Sequence, residues 1–225
     1  MQIHLDNELK ELKESLLEMF ELVENQLLKS KEALVNFDKD LAREVRVNEK
    51  RVNSMELNLD RDVENFLALY TPLASDLRFL IAALKINMNL ERIGDIADGI
   101  AQFVININNR PDEELLNATR LLEMFDTSIE ILGEVKKSFD NEDTKLARSV
   151  FKKDELLDEI NLQANEAVAD FVTAHPQKVN QSLYTLSTIR KLERVGDQSK
   201  NIAEEIIFSV EAKVLKHKRK PNKLA

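Results

Sequence analysis

The chain has 225 residues, 43% hydrophobic and 32% charged, which is enough apolar material for one large domain or two small ones and argues against disorder. Four Gly and four Pro cannot supply the turns of a sandwich, barrel or propeller, and zero Cys rules out thiol nucleophiles, disulfides, zinc fingers and iron–sulfur ligation. With 32 basic against 41 acidic residues the net charge is −9, so the chain repels a phosphate backbone and nucleic acid is not an expected partner.

The first predicted helix carries Leu5, Leu9, Leu12, Leu16, Met19, Val23, Leu27, Leu34 and Phe37, recurring at helical steps, and Asn36 or Asp38 can cap its successor. That stripe runs on to Leu41, and the second helix continues through Val45, Val52, Met55, Leu59 and Phe66 to a break at Tyr70-Thr71-Pro72. A third carries Ile86, Leu90, Ile93, Ala97, Ile100, Val104 and Ile107 and stops at Asn108-Asn109-Arg110-Pro111. Pro72 and Pro111 suit a first helical turn, where the missing N–H is not needed.

The pattern then repeats. ERIGDIADGIA at 91–101 returns as ERVGDQSKNIA at 193–203, 102 residues on, and these segments hold three of the four glycines. Leu41-Ala42-Arg43 matches Leu146-Ala147-Arg148 and Met19-Phe20-Glu21 matches Met124-Phe125-Asp126, both 105 residues apart. Asp140 and Asn141 stand as caps in the second copy. The expected fold is all-α: six long helices forming two pseudo-symmetric three-helix bundles, at 1–109 and 110–217, followed by a basic C-terminal tail at 218–225. That tail belongs to a run of Lys213, Lys216, Lys218, Arg219, Lys220 and Lys223, which reads as a solvated helix end, with an acidic membrane surface or partner as the alternative. The charged, amphipathic N-terminus lacks the apolar stretch of a secretion signal, and no apolar run reaches the roughly eighteen residues of a membrane span, so a cytoplasmic protein is expected.

Candidate chemistry lies on the predicted second and third helices of each copy. Glu91, Asp95, Asp98 and Gln102 are spaced by four, three and four residues, giving one polar stripe beside the apolar seam. The second copy has Glu193, Asp197, Lys200 and Glu204 at those steps. The preceding helices carry Glu49, Asn53, Glu56 and Asp60, matched by Asp154, Asp158, Asn161 and Asn165. Consecutive antiparallel helices bring such carboxylates to a shared groove, where like charges need compensation. Hard cations such as Mg²⁺, Mn²⁺, Ca²⁺ or iron provide it; pairing through Arg92 and Arg194 is the structural alternative. Gly94 and Gly196, costly inside a helix, point to close approach of a helix or ligand. His4, His175 and His217 complete no Glu-x-x-His motif, and no phosphate loop, HExxH or nucleophile elbow occurs. No catalytic residue is assigned, and no phosphate pocket either, since clustered acids repel the anion unless a metal bridges them.

TPLASDLRFLIAALKINMNLERIGDIADGIA at 71–101 and RKLERVGDQSKNIAEEI at 190–206 resemble the two signature helices of the PhoU family. The resemblance spans nearly the whole chain and implies two three-helix bundles with a repeated Glu/Asp-x-x-x-Asp motif able to hold multinuclear metal clusters. Here that motif stands as Glu91 to Asp95, Glu193 to Asp197 and Asp154 to Asp158, with Asp98 alongside; the fourth copy has Asn53 after Glu49. Iron, zinc, manganese and magnesium are the candidate ions, and the Asn53 amide, which brings no charge, implies weaker binding at its site. Gly99 stands where the family usually has Asn, as at Asn201, and Lys200 replaces the acid found at Asp98, so the two sites are not equivalent. The resemblance further implies a non-enzymatic negative regulator of phosphate uptake and phosphate-responsive two-component signalling. Such a protein is a cytoplasmic adaptor between the ATPase of a phosphate ABC transporter and a sensor histidine kinase, reaching the membrane through partners only; a homodimer formed through the long apolar-flanked helices is a separate expectation. A helical structural or chaperone-like protein without a phosphate role and a carboxylate-bound metal enzyme are the competing readings.

Overall fold

A computed structural model describes residues 2–215, with side chains from residue 5 onward. The helices are α1 (Gln2–Asn36), α2 (Lys39–Leu69), α3 (Ala74–Asn106), α4 (Glu113–Ala118), α5 (Leu121–Asn141), α6 (Thr144–Ala174) and α7 (Val179–Glu211). A short 3-10 turn, Pro176–Lys178, precedes the last. No strand occurs among the described residues, and no helix there is long and apolar enough to cross a membrane. Most of the basic run, including the tail at 218–225, lies outside the described residues; within them, Lys213 donates to Glu211 at 2.8 Å.

Helices α1, α2 and α3 pack together, as do α5, α6 and α7, and the two sets meet where α3 lies against α7 and α1 against α5. The apolar stripes explain this. Leu16, Met19, Phe20, Val23 and Leu27 are completely buried on α1, as are the equivalents Met124 and Phe125 on α5, in one continuous core shared by both halves. Side chains crossing between the halves obey the repeat. Lys136 on α5 reaches Glu21 on α1 at 3.0 Å, and Lys31 on α1 reaches Asp126 on α5; each pair maps onto the other at a shift of 105 residues. Helices α3 and α7 run antiparallel, tied by Lys85 to Glu205 at 3.1 Å and Asn89 to Asn201 at 3.4 Å.

The turns between the first two helices of each half also match. Phe37 and Glu142 take left-handed φ values of 55° and 53°, and the next residues, Asp38 and Asp143, cap α2 and α6 by accepting from two backbone N–H groups each. Asp38 is thus the expected cap, whereas Asn36, Asp140 and Asn141 are still inside the preceding helices. A single left-handed residue reverses the chain so abruptly that the capping residue must follow it directly.

Three further expectations change. The fourth long helix is split: Arg120 adopts φ 54° between α4 and α5. The Thr119 hydroxyl donates back to the Leu115 carbonyl at 2.8 Å, and the Arg120 guanidinium forks onto Glu123 and bonds Glu159 at 2.9 Å. The short α4 buries Leu115 against Val168 and Phe171 of α6. Neither Pro72 nor Pro111 enters a helix, because the chain stays extended through Leu73 and Asp112. Asp112 accepts from the Glu114 and Leu115 N–H groups, so the cap and not the proline starts α4.

Candidate functional site

The buried stripe of α2 runs Ala42, Val45, Glu49, Val52 and that of α6 runs Ala147, Val150, Asp154, Leu157. A carboxylate thus stands at the same seam position in each half, 8% exposed at Glu49 and 2% at Asp154. Opposite each lies a glycine of the facing helix. A Cβ at Gly94 would sit 3.0 Å from Val52 Cγ1 and 3.3 Å from Glu49 Oε2. At Gly196 it would sit 2.5 Å from Leu157 Cδ1 and 2.7 Å from Asp154 Oδ1. The expected close approach is therefore helix on helix, and in both halves it presses the buried acid against the motif helix.

In the first cluster both oxygens of Glu49 are buried without a hydrogen-bond partner. Burial, then the charges of Asp95, Asp98 and Glu91, push its carboxyl up to about 8. Glu91 and Glu56 are raised as well, by burial and then chiefly by Asp95 and Asp60 respectively. Asn87 of α3 donates to Asp60 at 2.9 Å and to the Glu56 carbonyl at 2.9 Å, fixing the far end of this face. The cation here is peripheral: Arg46 Nε reaches Asp98 at 3.0 Å on a half-exposed rim.

The second cluster is built differently. Lys200 Nζ sits 2.6 Å from Asp154 Oδ2 and 2.7 Å from Asp197 Oδ1, bridging α6 and α7. Burial opposes its charge, yet the two carboxylates hold the ammonium protonated well above the usual lysine range. Burial raises the Asp154 carboxyl while Lys200 pulls it back. Glu193 is raised by burial and then by Asp197, Asp158 and Asp154.

The expected residues therefore gather as two separate clusters: Glu49 with Glu91, Asp95 and Asp98, and Asp154 with Asp158, Glu193 and Asp197. Among the described residues no three acidic or histidine side chains form a ready-made coordination shell. Arg92 and Arg194 are both exposed, with the Arg92 charge lowering the Glu91 carboxyl against burial and Asp95; Arg46 pairs with Asp98, and Lys200 with Asp154 and Asp197. Arg46 was not legible, because its partner is fifty-two residues away. The burial of Glu49 and Asp154 does have a sequence signal: each falls on the apolar period of its helix, where an acid is out of place. His175 lies apart from both clusters, with Nε2 3.4 Å from Glu114 and its ring on Phe171.

The PhoU domain matches twice, at residues 16–104 and 121–206. A "Phosphate-specific transport system accessory protein PhoU homolog" of Pseudomonas putida is 32% identical over 210 residues, which is 93% of this chain and 82% of that protein. The crystal structure of PhoU from Pseudomonas aeruginosa superposes with a TM-score of 0.86 at 31% identity, covering 92% of this chain and 99% of that one. The crystal structure of "the phosphate transport system regulatory protein PhoU from Streptococcus pneumoniae" gives 0.82 at 27% identity, covering 94% and 99%.

Proposed function

Because the chain belongs to the PhoU domain family, we propose that it regulates phosphate transport, acting as a cytoplasmic adaptor that restrains uptake when phosphate is plentiful. Its partners in this reading are the ATPase of a phosphate ABC transporter and a sensor histidine kinase, and it works as a homodimer. The observation that carries the reading is the similarity along nearly the full length to proteins named as phosphate-specific transport system accessory proteins.

The reading is tested by deleting the gene and measuring alkaline phosphatase in phosphate-rich medium. Output rises if the chain restrains the signal; an unchanged output contradicts it. Co-purification with the tagged chain from native membranes, in rich and starved cells, identifies the partners, and light scattering gives the oligomeric state.

A metal serves this adaptor as a structural or tuning element. The fit rests on Glu49, whose two buried oxygens have no donor and whose carboxyl is raised, after burial, by the charges of Asp95, Asp98 and Glu91. With Glu91, Asp95 and Asp98 it would supply the hard oxygen donors that Mg²⁺, Mn²⁺ or iron accept, once these more exposed carboxylates turn toward it. Bound there, the ion would offset the burial and the acidic neighbours that push the Glu49 carboxyl up, and would lock α2 to α3. Elemental analysis of protein purified without chelator or a metal-affinity tag checks this.

A further inference from the structure

We infer that Lys200 is the built-in cation of the second cluster, so that this chain takes a hard divalent cation at the Glu49 cluster and none at the Asp154 cluster. The inference rests on the metal reading proposed above and concerns how the two halves share it.

Four observations carry it. The Lys200 ammonium lies between Asp154 on α6 and Asp197 on α7, at 2.6 and 2.7 Å, and so occupies the space that an ion bridging those helices needs. Its repeat equivalent is Asp98, which turns to Arg46 on the rim and leaves the centre of the first cluster without a cation. Arg46 in turn corresponds to Phe151, so between the halves the cation has moved from the second helix to the third and from the edge to the middle. Finally, Glu49 has two buried oxygens with no partner, whereas Asp154 has one, the other being held by Lys200.

A divalent ion entering the second cluster would have to expel a partly buried ammonium from two short charge-assisted hydrogen bonds, and would be repelled by it until it did. The uncharged Asn53 in the first half removes one charge from that cluster but leaves an oxygen donor and puts no cation in the way, so it is the milder change.

The test titrates the full-length, chelator-stripped protein with Mn²⁺ alone. Wild type binds, and Glu49→Gln with Asp95→Asn weakens binding at least about tenfold. Adding Lys200→Ala to that pair opens the second cluster and restores binding at least about tenfold tighter than the pair shows. Lys200→Gln, which keeps a donor for Asp154, covers failure of the alanine variant to fold, with helicity followed by circular dichroism. If the pair binds Mn²⁺ as well as wild type does, or if neither substitution of Lys200 restores binding, the inference is overturned. If wild type binds nothing while Lys200→Ala alone binds, the lysine's role stands and the first-cluster reading falls. Binding by none of the proteins overturns both.

Discussion

The two halves of this chain agree in what holds the fold and differ in what fills the acidic clusters. Lys31 with Asp126 and Lys136 with Glu21 are the same contact made twice, and Asp38 and Asp143 cap equivalent helices in the same way. By contrast Asp98 gives way to Lys200, Arg46 to Phe151 and Asn53 to Asp158. Between α3 and α7 the divergence is compensated. Asn89 bonds Asn201, while the equivalent pair is Lys191 and Gly99, where a methyl group on the glycine would overlap the lysine ammonium. A larger residue on one helix is matched by a missing side chain on the other. The lesson is that packing positions are constrained in both halves at once, because they share one core, whereas each cluster is enclosed by its own two helices and can change independently.

The shared part predicts the largest effects. Phe20→Ala and Phe125→Ala should each cost about 3–5 kcal/mol in urea unfolding, and by similar amounts, since both rings are completely buried at equivalent positions. A large difference would break the equivalence.

The divergent part predicts an asymmetry. In chelator, Lys200→Ala strips the cation from a buried carboxylate and should cost about 2–3 kcal/mol, less than a fully buried pair because Asp154 can take up a proton. Arg46→Ala removes only a rim pair and should cost under about 0.5 kcal/mol. Equal losses would erase the distinction between an internal and a peripheral cation.

Glu49 sharpens it further through pH. Its carboxyl lies at about 8 in the folded chain against an ordinary 4.5. Between those values the folded state holds a proton that the unfolded chain has released, so in chelator this group's contribution to stability falls as pH rises from about 5 through 8. Glu49→Gln should lack that component and be more stable than wild type by about 1–2 kcal/mol at pH 9, where the buried charge is gone. Saturating Mn²⁺ should flatten the wild-type slope, because the ion takes the place of the proton. A substitution with the wild-type pH slope would show that Glu49 is not the group responsible.

The smallest difference is steric. Gly196→Ala meets Leu157 at 2.5 Å and should cost about 1 kcal/mol net, while Gly94→Ala, at 3.0 Å from Val52, should be near neutral once the gain in helix propensity is counted. Thermal melts of both variants compare them directly.

The helical class, the duplication and the residues of both clusters were legible because a 3.6-residue period and a repeated glycine motif survive in the sequence. The break at Arg120 was not, since no glycine or proline marks it and the left-handed residue is held by Glu123 nearby and by Glu159 on another helix. The pairing of Lys200 with Asp154 was equally hidden: spacing put Lys200 on the polar stripe, but only the packing of α6 on α7 shows that it points into the cluster.

The most direct measurement is anomalous diffraction from crystals of the full-length chain grown in Mn²⁺. The predicted result is anomalous density between α2 and α3 beside Glu49, Glu91 and Asp95, with the Lys200 ammonium still bridging Asp154 and Asp197. Density between α6 and α7 with Lys200 displaced, and none beside Glu49, would contradict the division of roles between the two halves.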